Sequence, residues 1–156
     1  MQTIQEGIRL IAERAEAYLV GGYVRDAILG IESDDADLEV YHLPVEALQS
    51  LLEELFPGRV HLVGRQFGVF HIPCSNGTLD VALPRRESKT APGHRGFEVT
   101  GDPEMTIEDA ARRRDFTINA ILQHPLTGEL IDPYQGKQDL ELRRLRVVNK
   151  ETFVED

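Results

Sequence analysis

The dipeptide Asn76-Gly77 stands between two runs that read as strands, Phe67–Ile72 and Thr78–Leu83. An Asn-Gly pair in that setting is a strong hairpin signal. It constrains the fold more than any other feature, because a hairpin joins its strands antiparallel and breaks the strand–helix–strand repeat of a purely parallel sheet. Around it, strand and helix patterns interleave. Thr3-Ile4-Gln5-Glu6 reads as a capping box, with Ile4, Ile8 and Ile11 at helical spacing, and predicts a helix to about Glu16. Tyr18–Val20 is a short strand signal ended by Gly21-Gly22, and Val24–Leu29 reads as a helix stopped by Gly30. After a polar connection, Ile31–Asp35, the run Asp37–Tyr41 alternates polar and apolar like a strand with one buried face. Pro44 opens a helix carrying Val45, Leu48, Leu51, Leu52 and Leu55, and Val60–Val63 is a further strand candidate. Pro84–Gly96 is a basic loop without periodicity. Thr106–Arg113 reads as a helix, Ile118–Leu122 as core, Gln138–Leu142 as a short helix and Leu145–Val148 as a final strand. The expected class is α/β (α+β): one mixed sheet flanked by helices, in a single domain over residues 1–156.

Composition narrows the function classes. The single cysteine, Cys74, excludes an internal disulfide and a cysteine-rich zinc site, and fits a reducing compartment. No apolar run approaches the ~18–20 residues that span a bilayer, and Met1–Glu6 lacks the basic-then-apolar layout of a signal peptide. The expectation is a soluble cytoplasmic protein with no membrane partner. With 27 acidic against 17 basic residues the net charge is −10, opposite to the usual footprint of a nucleic-acid binder. The basic residues are clustered, however, and several acids are candidate metal ligands.

Five constellations carry possible chemistry. Gly21-Gly22-Tyr23-Val24-Arg25-Asp26 lies between a strand and a helix start; its glycines allow close backbone approach to an anion, and Arg25 adds charge-assisted hydrogen bonds to phosphate. Taken alone, a Gly-Gly pair is more often just a tight turn. Asp35-Ala36-Asp37 places two carboxylates on one face of a strand, a donor set that suits Mg²⁺, although isolated acids at a strand entrance also simply face water. Asp80 is an acid inside an apolar strand: a third carboxylate if that strand neighbours Asp35–Asp37, a surface group otherwise. In Arg112–Ala120, the arginines suit a helix C-terminus on structural grounds alone, whereas Asp115 and Asn119, beside an apolar run, need partners. Arg85, Arg86, Lys89, His94 and Arg95 form either a solvated loop or a flap over triphosphate and RNA. His42, His61, His71 and His124 show no zinc spacing and read as structural or surface residues.

In this order the motifs resemble the class II tRNA nucleotidyltransferase (CCA-adding enzyme) and bacterial poly(A) polymerase family. The resemblance runs through Gly21–Asp26, Asp35–Asp37, Asp80, Pro84–Glu87, Arg113–Ala120 and Ile131–Gly136, and covers roughly residues 17–156. It implies a polymerase-β-type nucleotidyltransferase head that transfers a nucleotide from NTP to the 3′-hydroxyl of RNA, with tRNA as the favoured acceptor. It implies that Asp35 and Asp37 hold two Mg²⁺ ions, with Asp80 as a further catalytic acid of the least defined role. Gly21, Gly22 and Arg25 would cradle the triphosphate. Arg113, Arg114, Asp115 and Asn119 would bind the ribose and nucleotide, and Arg85, Arg86, Lys89 and Arg95 would form the family's mobile basic loop. ATP is the implied substrate, with CTP a second candidate. The family continues past a Glu-Asp pair into neck, body and tail domains, whereas this sequence stops at Glu155-Asp156, so the expectation is a head domain without them. Poly(A) tailing of RNA is the alternative product, a non-catalytic nucleotide- or RNA-binding module of the same fold is a different class, and an antibiotic- or protein-modifying transferase is a third.

Overall fold

The computed structural model describes residues 1–63, 68–89 and 97–149. The first helix, α1 (Ile4–Ala12), starts where the capping box predicts: the Thr3 hydroxyl accepts from the Glu6 backbone N–H at 3.1 Å and donates to the Glu6 carboxylate at 3.2 Å. It ends short of Glu16, because the Glu16 carbonyl is taken by the Tyr41 N–H at 2.9 Å and extends a strand ladder instead. Ile4, Ile8 and Ile11 are fully or nearly fully buried along one stripe.

Strands β1 (Ala17–Val20) and β2 (Asp35–Val40) flank α2 (Gly22–Ile28) and pair antiparallel, from Ala17 opposite Val40 to Val20 opposite Asp37. Helix α3 (Val45–Leu55) then leads to β3 (His61–Val63), β4 (Val69–Cys74) and β5 (Gly77–Ala82). The predicted hairpin is present, but its two turn residues are Ser75 and Asn76, and Gly77 opens β5. The local packing explains the shift. Gly77 has φ +147°, and a Cβ there would lie 2.0 Å from the Asp34 carbonyl oxygen, so only glycine fits. Asn76 turns back to cap α1, accepting from the Ile4 N–H at 2.8 Å.

The hairpin joins β2 through β5, and this pair is parallel: Asp35 sits opposite Thr78, and Asp37 opposite Asp80. With β8 (Leu122–Gln123) and β9 (Leu130–Ile131) the mixed sheet has, among the described residues, seven strands in the order β3-β4-β5-β2-β1-β8-β9. One face takes Ile4, Ile8 and Ile11 of α1 and Leu48 and Leu52 of α3, with Phe56, against Ala36, Leu38, Val40, Phe70, Ile72, Leu79 and Val81. Burial of each large aliphatic or aromatic side chain there contributes about 1.5–3 kcal/mol. The alternate residues of β2, namely Asp35, Asp37 and Glu39, therefore point to the opposite face. On that face α4 (Ile107–Arg112), capped by the Thr106 hydroxyl, packs Ala111 with Val20 of β1, and Ala110 with Tyr41 and Met105.

Two expectations need correction. The Pro84–Gly96 stretch is not all loop: β6 (Arg85–Lys89) pairs antiparallel with β7 (Phe97–Gly101) as a separate two-stranded ribbon. Its Arg-Arg-Glu-Ser-Lys sequence holds no apolar alternation, so periodicity could not mark it. Leu145–Val148 is not a strand. Only Val147 forms a bridge, to Phe116, because the facing chain turns at once into a one-turn 3-10 helix, Thr117–Asn119. Helix α5 (Gly136–Glu141) is the last helix among the described residues and starts two residues earlier than the predicted Gln138. Among the described residues no helix is long and apolar enough to cross a membrane.

Candidate active site

The acid face of β2 and β5 gathers the carboxylates. The Asp35 carboxylate accepts a short hydrogen bond from the Thr78 hydroxyl across the parallel pair. Asp37 reaches solvent, yet atoms crowd it. Lost hydration pushes its carboxyl above the usual range, the neighbouring Asp80 and then Asp35 and Glu39 push the same way, and Arg114 opposes them. Asp80 thus becomes the third carboxylate that the sequence left conditional on strand adjacency. It does not stand free: its Oδ1 lies 2.7 Å from His71 Nδ1, and His71 sits opposite it in register on β4.

Gly21 places the backbone beside this cluster. It has φ +71° and ψ −145°, a conformation that glycine alone adopts readily, and a Cβ there would sit 3.6 Å from Asp37 Oδ2 and 3.8 Å from the Arg114 guanidinium. Gly22 begins α2, which turns Arg25 toward the 3-10 helix. There Arg25 donates to Asn119 Oδ1 at 3.0 Å while its Nε pairs with Asp26 at 3.1 Å. Asn119 in turn donates to Asp115 Oδ1 at 3.2 Å, and the same oxygen takes the Phe116 N–H at 2.6 Å. Arg114 donates to Glu39 Oε2 at 2.9 Å, and the Tyr41 hydroxyl holds the other Glu39 oxygen at 2.9 Å. Burial beside Glu39 pushes the Tyr41 hydroxyl far above its ordinary value, so it remains a donor.

Most of the residues singled out from sequence converge: Gly21, Gly22, Arg25, Asp35, Asp37, Asp80, Arg114, Asp115 and Asn119 form one connected surface. Arg113 does not join that network; it is half-buried, and its Nε has no hydrogen-bond partner among the described residues. Arg85 is exposed at the start of β6, while Arg95 and the side chains of Arg86 and Lys89 lie outside the described residues. Sequence reasoning missed Glu39, Thr78 and His71. Glu39 was legible, since it continues the Asp35, Asp37 alternation; Thr78 and His71 depend on cross-strand register, which no local pattern carries.

Chemically, the open face offers hard oxygen donors backed by arginines. Among the described residues no three His, Cys, Asp or Glu side chains are grouped closely enough to cage a metal by themselves. Asp35 and Asp37 on one strand face, with Asp80 opposite Asp37, suit a divalent cation that takes its remaining ligands from water and substrate phosphate.

A mixed sheet backed by helices on one face, with paired strand carboxylates beside a Gly-Gly turn on the other, defines a polymerase-β-type nucleotidyltransferase fold. The poly(A) polymerase head domain family matches residues 17–146. The chain belongs to that family. It is 45% identical over 139 residues to the multifunctional CCA protein of Xanthomonas campestris pv. campestris, covering 89% of this chain and 32% of that protein. It is 44% identical over 141 residues to the multifunctional CCA protein of Xylella fastidiosa, covering 90% and 32%. The chain thus spans about a third of the length of these relatives. The crystal structure of the Bacillus stearothermophilus CCA-adding enzyme in complex with CTP is similar at a TM-score of 0.72 and 26% identity, covering 97% of this chain and 35% of that one. A tRNA nucleotidyltransferase complexed with a primer tRNA and an incoming ATP analog gives 0.70 and 31%, covering 99% and 41%.

Proposed function

We propose that this chain is the catalytic head of an RNA nucleotidyltransferase that adds nucleotides from NTP to the 3′ end of tRNA, in the manner of CCA addition. The observation that carries the reading is the register of β2 on β5, which sets Asp35, Asp37 and Asp80 side by side within reach of Gly21 and Arg114. Relatives named for CCA addition, and similar structures holding CTP, an ATP analog and tRNA, support the same substrates here.

The RNA 3′-oxygen attacks the α-phosphorus of the nucleotide; the new phosphodiester forms as the bond to pyrophosphate breaks. Positioning and charge stabilisation supply most of the acceleration in such transfers. Asp35 and Asp37 would hold Mg²⁺, which when bound would neutralise charge on the triphosphate and favour deprotonation of the 3′-hydroxyl. Gly21 and Gly22 let the main chain approach the triphosphate, and Arg25 supplies charge to it. Arg114, aimed by Glu39, and Asp115, with Asn119, face the ribose. Asp80, held by His71, completes the acid row.

The test is calorimetric binding of non-hydrolysable ATP and CTP analogues, with and without Mg²⁺, to the chain and to an Asp35→Ala, Asp37→Ala variant. Mg²⁺-dependent binding of both nucleotides, lost in the variant, is the expected result. Binding of ATP alone would redirect the reading to poly(A) tailing. Binding indifferent to metal and to the substitutions would make this a non-catalytic nucleotide-binding module.

A further inference from the structure

The 3-10 helix Thr117–Asn119 carries Asn119, which holds Arg25, yet it is a single turn with little stability of its own. What holds it is α5. The Asp132 carboxylate caps the start of α5 by accepting from Gly136 N at 2.7 Å and Lys137 N at 3.0 Å. Gly136 then packs so tightly that a Cβ there would lie 2.1 Å from the Thr117 carbonyl oxygen. One turn on, Asp139, 2% exposed, accepts from the Thr117 hydroxyl at 2.5 Å, and Thr117 itself is 1% exposed. The same carboxylate oxygen takes Arg146 Nε at 3.0 Å, Arg144 stands 3.7 Å from the other oxygen, and Arg146 also reaches the Tyr134 carbonyl at 2.8 Å. The Thr117 N–H is tied to the Arg146 carbonyl at 2.9 Å.

A buried carboxylate with these partners is well anchored, and among the described residues Thr117 is the one hydroxyl it binds. From that hydroxyl the path to the nucleotide is short: Thr117, two residues along the turn to Asn119, then Arg25. We propose that Asp139 is a positioning residue for nucleotide binding, acting through Thr117 to fix the turn from which Asn119 aims Arg25. Neither Asp139 nor Thr117 touches the nucleotide in this arrangement. The proposal rests on the reading of Gly21–Arg25 as the triphosphate cradle.

The experiment uses Thr117→Val, which keeps the side-chain shape and removes the hydroxyl, beside Thr117→Ser, which keeps the hydroxyl, each also made in an Asn119→Ala background. Calorimetric binding of the ATP analogue with Mg²⁺ is the first readout. Thr117→Val is expected to weaken binding by about threefold to thirtyfold, Thr117→Ser to restore it, and Thr117→Val to add nothing once Asn119 is gone. A loss that persists in full in the Asn119→Ala background would overturn the proposal, as would wild-type affinity in Thr117→Val. Should the unsubstituted chain bind no nucleotide, the cradle reading itself fails, and the positioning link is then decided by amide hydrogen exchange. Faster exchange over residues 115–120 and 22–28 in Thr117→Val, reversed in Thr117→Ser, supports the link; unchanged exchange in either segment sinks it.

Discussion

Glu39 looks like a fourth catalytic acid, yet its partners give it another job. Both of its oxygens are engaged, one by Arg114 and one by Tyr41, and its side chain is only 13% exposed. A carboxylate so occupied is a poor metal ligand and a good anchor for a guanidinium. Glu39→Gln keeps the shape and removes the charge. It is expected to leave Arg114 less firmly aimed and to weaken nucleotide binding by about tenfold, ~1.4 kcal/mol, with Mg²⁺ dependence retained. Titration calorimetry beside Asp37→Asn separates the two roles, because the Asp37 substitution should abolish the metal dependence instead. The same residues show what could be read from the chain alone. Asp35 and Asp37 announced themselves by period-two spacing, and Gly21 by its place between strand and helix. Asp80 needed knowledge of its neighbour, and His71 gave no sign at all, since its significance arises only from standing opposite Asp80.

Local elements whose ends are set by side-chain caps were legible; elements defined by distant partners were not. Thr3 and Thr106 place α1 and α4 to within a residue of their predicted starts, and the apolar stripe of α3 was plain from its leucines. The ribbon of β6 and β7 and the loss of a strand at Leu145–Val148 both follow from pairing between remote segments. Helix α5 was legible as an element, to within two residues of its start, but the way it is docked depends on Asp139. The Thr117 hydroxyl holds the Asp139 carboxyl below its ordinary range, burial partly opposes this, and Arg146 and Arg144 reinforce it. A carboxyl lowered by folding adds stability that is complete above its unfolded value and fades as pH falls through its folded value. The difference in melting temperature between the wild-type chain and Asp139→Asn should therefore be full at neutral pH. It should begin to close below about pH 5 and vanish once the folded carboxyl is protonated. Circular-dichroism melts across that range measure it directly; a gap that widens toward acid would contradict the assignment.

Across the whole molecule, charge and shape point in different directions. The net charge of −10 repels a phosphate backbone, while the acid face concentrates that charge where a cation and a triphosphate are to meet. This chain alone should bind NTP far better than RNA: at about 0.15 M salt, gel-shift assays with tRNA should show little complex at protein concentrations that saturate with nucleotide. Tight tRNA binding by the isolated chain would mean that a basic surface operates here despite the overall balance. The parallel pairing of β2 with β5 has a consequence of a different kind, for the cost of assembly. Antiparallel neighbours such as β4 and β5 close through a two-residue turn, but β2 and β5 are separated in sequence by α3, β3 and β4, so their pairing must close a far longer loop. When they do meet, Asp37 is brought against Asp80, so this seam of the sheet closes against the repulsion of its own side chains. The pairing that builds the working surface is thus opposed twice over, by the entropy of a long loop and by like charge.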